Sequence, residues 1–309
     1  MLSMFLMVAQ QVVILFLLMG VGLVCNKTRL MDETVVKGMT DFVLYFVVPC
    51  VTIASFQRPM EPELVRGLLI TVGLAVLSMV IPILLGRFLV HDSDESRQIV
   101  YRFAVIFSNC GFMSLPIEEA LLGADGIFYG AMFVAVFNVM VWTYGLKMMS
   151  AGTERITARK LLLNPGLIGT AIGLLLFVAG ITLPDVLEVP VESLAALNTP
   201  VPMVIIGWYL GNVKGADLIQ DKKQYWVLFL RLIAMPCIML LIMLPMHLDP
   251  TILLVCTIAS CAPVATVTNM FAAKFDRDAI LAARLVSVTT LFSLVTIPLL
   301  VTAAKVLSV

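Results

Sequence analysis

The chain has 309 residues, 61% of them hydrophobic and 13% charged, with a mean hydropathy of +1.06. A soluble domain of this size cannot carry so much apolar surface, so the sequence reads as an all-α, multi-pass membrane protein whose first partner is the lipid bilayer. Twenty basic residues balance twenty acidic ones, which removes any overall bias toward nucleic acid, and six scattered cysteines with two distant histidines suggest neither a disulfide framework nor a metal site, so no cofactor is expected.

In chain order, the first apolar span covers 4–24; it lacks the basic start and small-residue cleavage site of a removable signal and reads as a retained helix. Spans follow at 35–56, with Pro49 inside, at 65–90, with Pro82, at 98–122 and at 127–149. The polar segment 151–162 then divides the chain near its midpoint and is expected as a cytoplasmic loop. Five more spans occupy 163–181, 191–212, 225–246, 251–274 and 279–303, each close to the roughly 20 residues needed to cross the hydrocarbon core.

Two of these spans are interrupted at their middles. In the fourth, Ser108, Asn109, Cys110, Gly111 and then Pro116 free backbone groups at a depth where no bulk water can satisfy them. In the ninth, Ser260, Ala262 and Pro263 do the same. Paired interruptions about half a chain apart point to a transporter binding site. An offset of 151 to 154 residues places Pro49 on Pro200, Pro82 on Pro236, Ser108 on Ser260 and Asn138 on Thr290, which predicts two repeats of five spans. An odd number of spans per repeat makes the repeats inverted across the membrane.

Counting Lys and Arg by side gives orientation. Seventeen fall at or beside connections that follow odd-numbered spans, Arg155, Arg159, Lys160, Lys214 and Arg231 among them; Arg58, Arg66 and Lys305 fall on the other side. The bias predicts both termini outside and the midpoint loop in the cytoplasm.

The fourth span reads Asn109-Cys110-Gly111-Phe112-Met113-Ser114-Leu115-Pro116, the sixth opens Asn164-Pro165-Gly166, and Asn198-Thr199-Pro200-Val201-Pro202 leads to Ile206-Gly207-Trp208-Tyr209-Leu210-Gly211. In this order, over nearly the whole chain, the sequence resembles the auxin efflux carrier family in its bacterial branch. Ser114 stands where that family often has glycine, and the long cytoplasmic loop of the plant carriers is absent. The resemblance implies ten transmembrane helices as a 5+5 inverted repeat with broken, crossing helices 4 and 9, a fold shared with bile acid:sodium symporters. It implies scaffold helices in 1–60 and 163–214, transport-domain helices in 61–150 and 215–309, a homodimer through the scaffold, and a small organic anion such as a mono- or dicarboxylate as substrate. A sodium-coupled symporter of a bile-acid-like or other organic acid is the alternative, as is a channel or receptor built on the same fold.

The chemistry of a crossing is arguable from the residues. Each interruption leaves one half-helix with its carbonyl end at mid-membrane and another with its amide end there, and an anion suits the amide ends. Ser108, Asn109, Ser260 and Thr266 add neutral hydrogen-bonding groups, with Asn138 and Asn269 expected at similar depth and Cys110, Gly111, Pro116, Ala262, Pro263 and Val264 supplying the chain around them. Helix-to-helix hydrogen bonding is the plainer role for such residues. The intramembrane charges read from the spans are Asp41, Glu118, Glu119 and Arg284; a proton or cation relay needs a carboxylate, and Asp41 and Glu118 are the candidates. No HExxH, GxSxG or paired mid-span aspartates are present, and an enzyme is not expected.

Overall fold

A computed structural model describes residues 2–154, 163–212 and 221–308, so Arg155, Arg159, Lys160, Lys214 and most of the expected 151–162 loop lie outside the described residues. The chain forms α1 (Leu2–Lys27), α2 (Glu33–Ser55), α3 (Pro62–Leu89), α4 (Glu95–Ile106) and α5 (Cys110–Met149). In the second half it forms α6 (Pro165–Ala179), α7 (Asp185–Asn212), α8 (Lys222–Met246), α9 (Pro250–Cys261), α10 (Val267–Lys274) and α11 (Ala279–Leu307). Among the described residues all regular structure is helical, and seven helices, α1, α2, α3, α5, α7, α8 and α11, are long and apolar enough to cross a membrane. The shorter α6 and α9 are apolar too.

The 40 residues of α5 would reach about 60 Å if straight, twice the hydrocarbon thickness. They turn back at Gly123, whose φ of 61° and ψ of −143° suit glycine alone. Past the turn, Gly126 lies so close to the Glu118 carbonyl that a Cβ there would approach its oxygen to 2.3 Å. The expected spans ending at 122 and beginning at 127 are therefore the two arms of one hairpin.

Three prolines follow a widened helical turn. Val43–Val47 precedes Pro49 in α2, Cys110–Ser114 precedes Pro116 in α5, and Leu230–Ala234 precedes Pro236 in α8, each with π-type geometry. The proline ring would strike the carbonyl four residues before it, and a wider turn moves that carbonyl aside while the helix continues. Pro116 therefore does not belong to the interruption, contrary to the sequence expectation; the break is confined to Phe107–Asn109, and the second half-helix starts at Cys110.

Close packing ties distant segments. In the α1–α7 pair a Cβ on Gly22 would meet the Val204 carbonyl oxygen at 1.9 Å, and one on Gly207 would meet that of Met19 at 1.9 Å. The two backbones touch directly, as small residues allow in membranes. Phe56 at the C-terminal end of α2, Phe128 of α5 and Phe177 of α6 form an aromatic trio with ring centroids 5.2 to 6.0 Å apart. Beside it Arg58 pairs with Asp125 at 2.7 Å and stacks its guanidinium over Phe128 at 4.7 Å.

Candidate functional site at the helix crossing

The two interruptions meet. Ser108 and Val264 form an isolated antiparallel bridge, the Asn109 N–H donates to the Pro263 carbonyl at 2.8 Å, and the Ala265 N–H donates to the Phe107 carbonyl at 3.0 Å. Backbone groups that neither helix can satisfy are satisfied by the other break, which is how non-helical chain survives at membrane depth. The Val264 N–H is held by Thr289 Oγ1 of α11 at 3.0 Å, and Ser114 Oγ donates to the Ile258 carbonyl near the end of α9 at 3.4 Å.

Four helix ends surround this bridge. The carbonyl ends of α4 and α9 enter it, and the amide ends of α5 and α10 leave it, the latter from Thr266. Into the carbonyl ends reaches Arg231, which stands on the widened turn of α8, ten residues into the span and only 2% exposed. Its Nη1 donates to Val105 at 3.1 Å and Ile106 at 3.5 Å, its Nε to Ala262 at 3.2 Å, and its Nη2 to Ser260, all backbone carbonyls. A planar guanidinium with five N–H donors suits a ring of orphan carbonyls. No carboxylate pairs with Arg231 among the described residues.

Ser108, Asn109, Cys110, Ser260, Ala262, Pro263 and Val264 thus come together, all buried. Asn109 is 4% exposed, and its Nδ2, like the Ser260 Oγ, has no hydrogen-bond partner. A buried amide donor left unpaired is costly, and a negatively charged or carbonyl oxygen would relieve it. Gly111 is half-buried, and a Cβ there would touch only Val134 Cγ1, at 3.8 Å, so no close contact demands glycine. Thr266 and Asn269 are half-buried at the start of α10; next to them Thr268 is fully buried with its Oγ1 unpartnered.

Asn138 makes its contacts elsewhere. A Cβ on Gly166 would come within 2.7 Å of Asn138 Nδ2 and 3.2 Å of Asn164 Oδ1, which sets Asn138 beside the turn that starts α6. The carboxylate candidates differ in kind: Asp41 is exposed on α2, whereas Glu118 is 1% exposed and neither of its oxygens has a partner. Gly130, on the opposite arm of the hairpin, leaves the space that Glu118 Oε2 fills. A separate polar cavity of about 290 Å³ is lined by Arg97, Asp221, Gln224, Asp278, Leu281 and Arg284. Arg97 sits near the start of α4, and the 12 residues of that helix put the crossing about 16 Å away.

The side count assigns Arg231 to a cytoplasmic flank; the structure buries it ten residues into α8 against the ends of α4 and α9, so it joins Asp41, Glu118, Glu119 and Arg284 as a charge within a span. The sequence carries the signal: a lone arginine about 9 Å into the apolar run Tyr225–Cys237, with as much again beyond it, is too deep to count with a loop. A family model described as membrane transport protein matches residues 7–301. No curated protein matches the chain.

Proposed function

The chain belongs to the auxin efflux carrier, or PIN-like, family of membrane transport proteins, and from that premise we propose that it is a secondary carrier of a small organic anion that binds at the helix crossing. What supports this reading above all is the balance of charge there. The amide ends of α5 and α10 each carry roughly half a positive unit, while the opposing carbonyl ends of α4 and α9 are offset by the Arg231 guanidinium. The crossing is left net positive, with the unpaired Asn109 donor beside it. A carboxylate is the complementary ligand.

The proposed architecture is the ten-span inverted repeat, with α4 and the first arm of α5 as the fourth span and α9 and α10 as the ninth. Spans one, two, six and seven form a dimeric scaffold, and the remainder moves against it with the substrate, by elevator-type alternating access. Both termini face outside the cell membrane.

A thermal-shift screen against mono- and dicarboxylates, with and without sodium, identifies the ligand by mass action. Asn109→Ala then lowers affinity for that carboxylate by about ten- to hundredfold, the worth of roughly 1.5 to 3 kcal/mol for a hydrogen bond to a charged group. Asn109→Asp weakens it further by setting a negative charge against the anion. Folded variants that bind as tightly as the parent would place the site elsewhere.

Of the two carboxylates proposed for ion coupling, Glu118 is favoured by its burial without a partner on either oxygen, an expensive place for an ionised group. If it carries a proton with the substrate, Glu118→Gln should keep the fold and substrate affinity yet abolish acceleration of uptake by an imposed pH gradient in proteoliposomes. Gradient-driven uptake that persists in this variant removes Glu118 from the coupling.

A further inference from the structure

At the crossing, backbone carbonyls of two helix ends converge on one cationic side chain of the chain itself. Partial negative charge converges where α4 and α9 end, because the last carbonyls of a helix have no partner within it. Left open, such a ring of carbonyl oxygens suits a small dehydrated cation. Here the carbonyls of Val105, Ile106, Ser260 and Ala262 all accept from the one guanidinium of Arg231. Arg231 is buried, has no carboxylate partner among the described residues, and comes from a third helix, α8, held by the turn that Pro236 widens.

We propose that Arg231 is the resident cation of the crossing: it replaces an inorganic ion, joins the two interrupted spans to α8, and lets the site form without sodium. The role is positional, since Arg231 meets backbone carbonyls and holds the ends of α4 and α9 from which the Asn109 and Pro263 segments depart. A freely diffusing cation would have to bind and leave with each cycle, whereas a guanidinium fixed to α8 stays. The crossing therefore has constant charge through the cycle, and the only charge that enters or leaves it is that of the substrate and of any proton carried with it.

Chemical rescue tests this without reference to the transported anion. Purified Arg231→Ala should melt about 10 °C or more below the parent, as expected for loss of a buried charged network. Millimolar guanidinium should restore most of that loss in the variant and leave the parent unchanged, while urea, of the same shape and uncharged, and sodium at equal ionic strength should not. Equal responses to guanidinium and urea, or none, would overturn the proposal. So would rescue by sodium alone. Should Arg231→Ala give no folded protein, the parent decides. Its melting temperature is expected to be flat when choline is exchanged for sodium at constant ionic strength, and a saturable rise with sodium would show that the ion site is open. Arg231→Lys, which keeps the charge and loses the fork, is expected to melt between parent and alanine variant.

Discussion

Gly207→Ala should cost the protein most of its folded yield. The added Cβ would lie 1.9 Å from the Met19 carbonyl oxygen and 2.6 Å from its carbon, and both are backbone atoms of α1 that no side-chain rotation can move. Reaching ordinary contact requires the two helices to part by about 1.5 Å, which empties the packing on either side of the contact and loosens Gly22 against Val204 in the same stroke. Overpacking a core costs about 1 to 3 kcal/mol when side chains can yield. Here they cannot, and the loss lies at or above the top of that range. Size-exclusion profiles and melting curves of detergent-solubilised protein measure it. Gly20→Ala, on the facing helix α1 with nothing within 4 Å of its added Cβ, should behave as the parent and serves as the control. A Gly207→Ala protein that is monodisperse with an unchanged melting temperature would mean that α1 and α7 do not pack backbone to backbone.

A tether between α2 and the α5 hairpin should stop transport entirely while sparing binding. Arg58, just past the end of α2, and Asp125, at the tip of the hairpin, are 2.7 Å apart at their charged atoms, so cysteines at both positions lie within reach of a short cleavable bis-thiosulfonate. The six native cysteines are all free and would be replaced first. If the hairpin moves against α2 and α6 during each cycle, the bridged protein holds one state: uptake in proteoliposomes falls to background, ligand-induced stabilisation survives, and reduction restores uptake. The native ion pair is half exposed and worth little by itself, so replacing it should not alone abolish transport. Full uptake with the bridge closed would sink the moving-domain reading.

What could be read beforehand follows from which signals are local. Apolar runs located the seven helices long enough to cross a membrane among the described residues, because twenty-odd residues with few charges have one cheap environment. The clusters at Ser108–Gly111 and Ala262–Pro263 located the two breaks, since polar and helix-breaking residues in such runs leave backbone groups unsatisfied. That the breaks bond to each other through Asn109, Pro263, Phe107 and Ala265 is a long-range fact, and no periodicity encodes it. Thr289, which completes the bridge from α11, was illegible for the same reason: one threonine in a span looks like any other. Pro116 reads as a breaker in sequence, yet a widened turn ahead of it lets the helix run on. Arg231 is hidden from a count by side, because such a count assigns each charge to the nearest loop whatever its depth along the helix.

The bridge at the crossing also sets an order of assembly. Phe107 and Ala265, which share one of its bonds, are 158 residues apart in the chain. While the ribosome is still making α6 to α8, the carbonyl of Phe107 and the N–H of Asn109 have no native partner, and Val105 and Ile106 await Arg231. The first half can thread the bilayer early, yet its fourth span stays incomplete until α9 and the segment beyond it emerge. A ribosome-bound chain carrying Asn109→Cys and ending before residue 250 should therefore react with small thiol reagents faster than the same variant at full length. Closure of the centre of this membrane transport protein is therefore expected to come late in synthesis, once both interrupted segments are present.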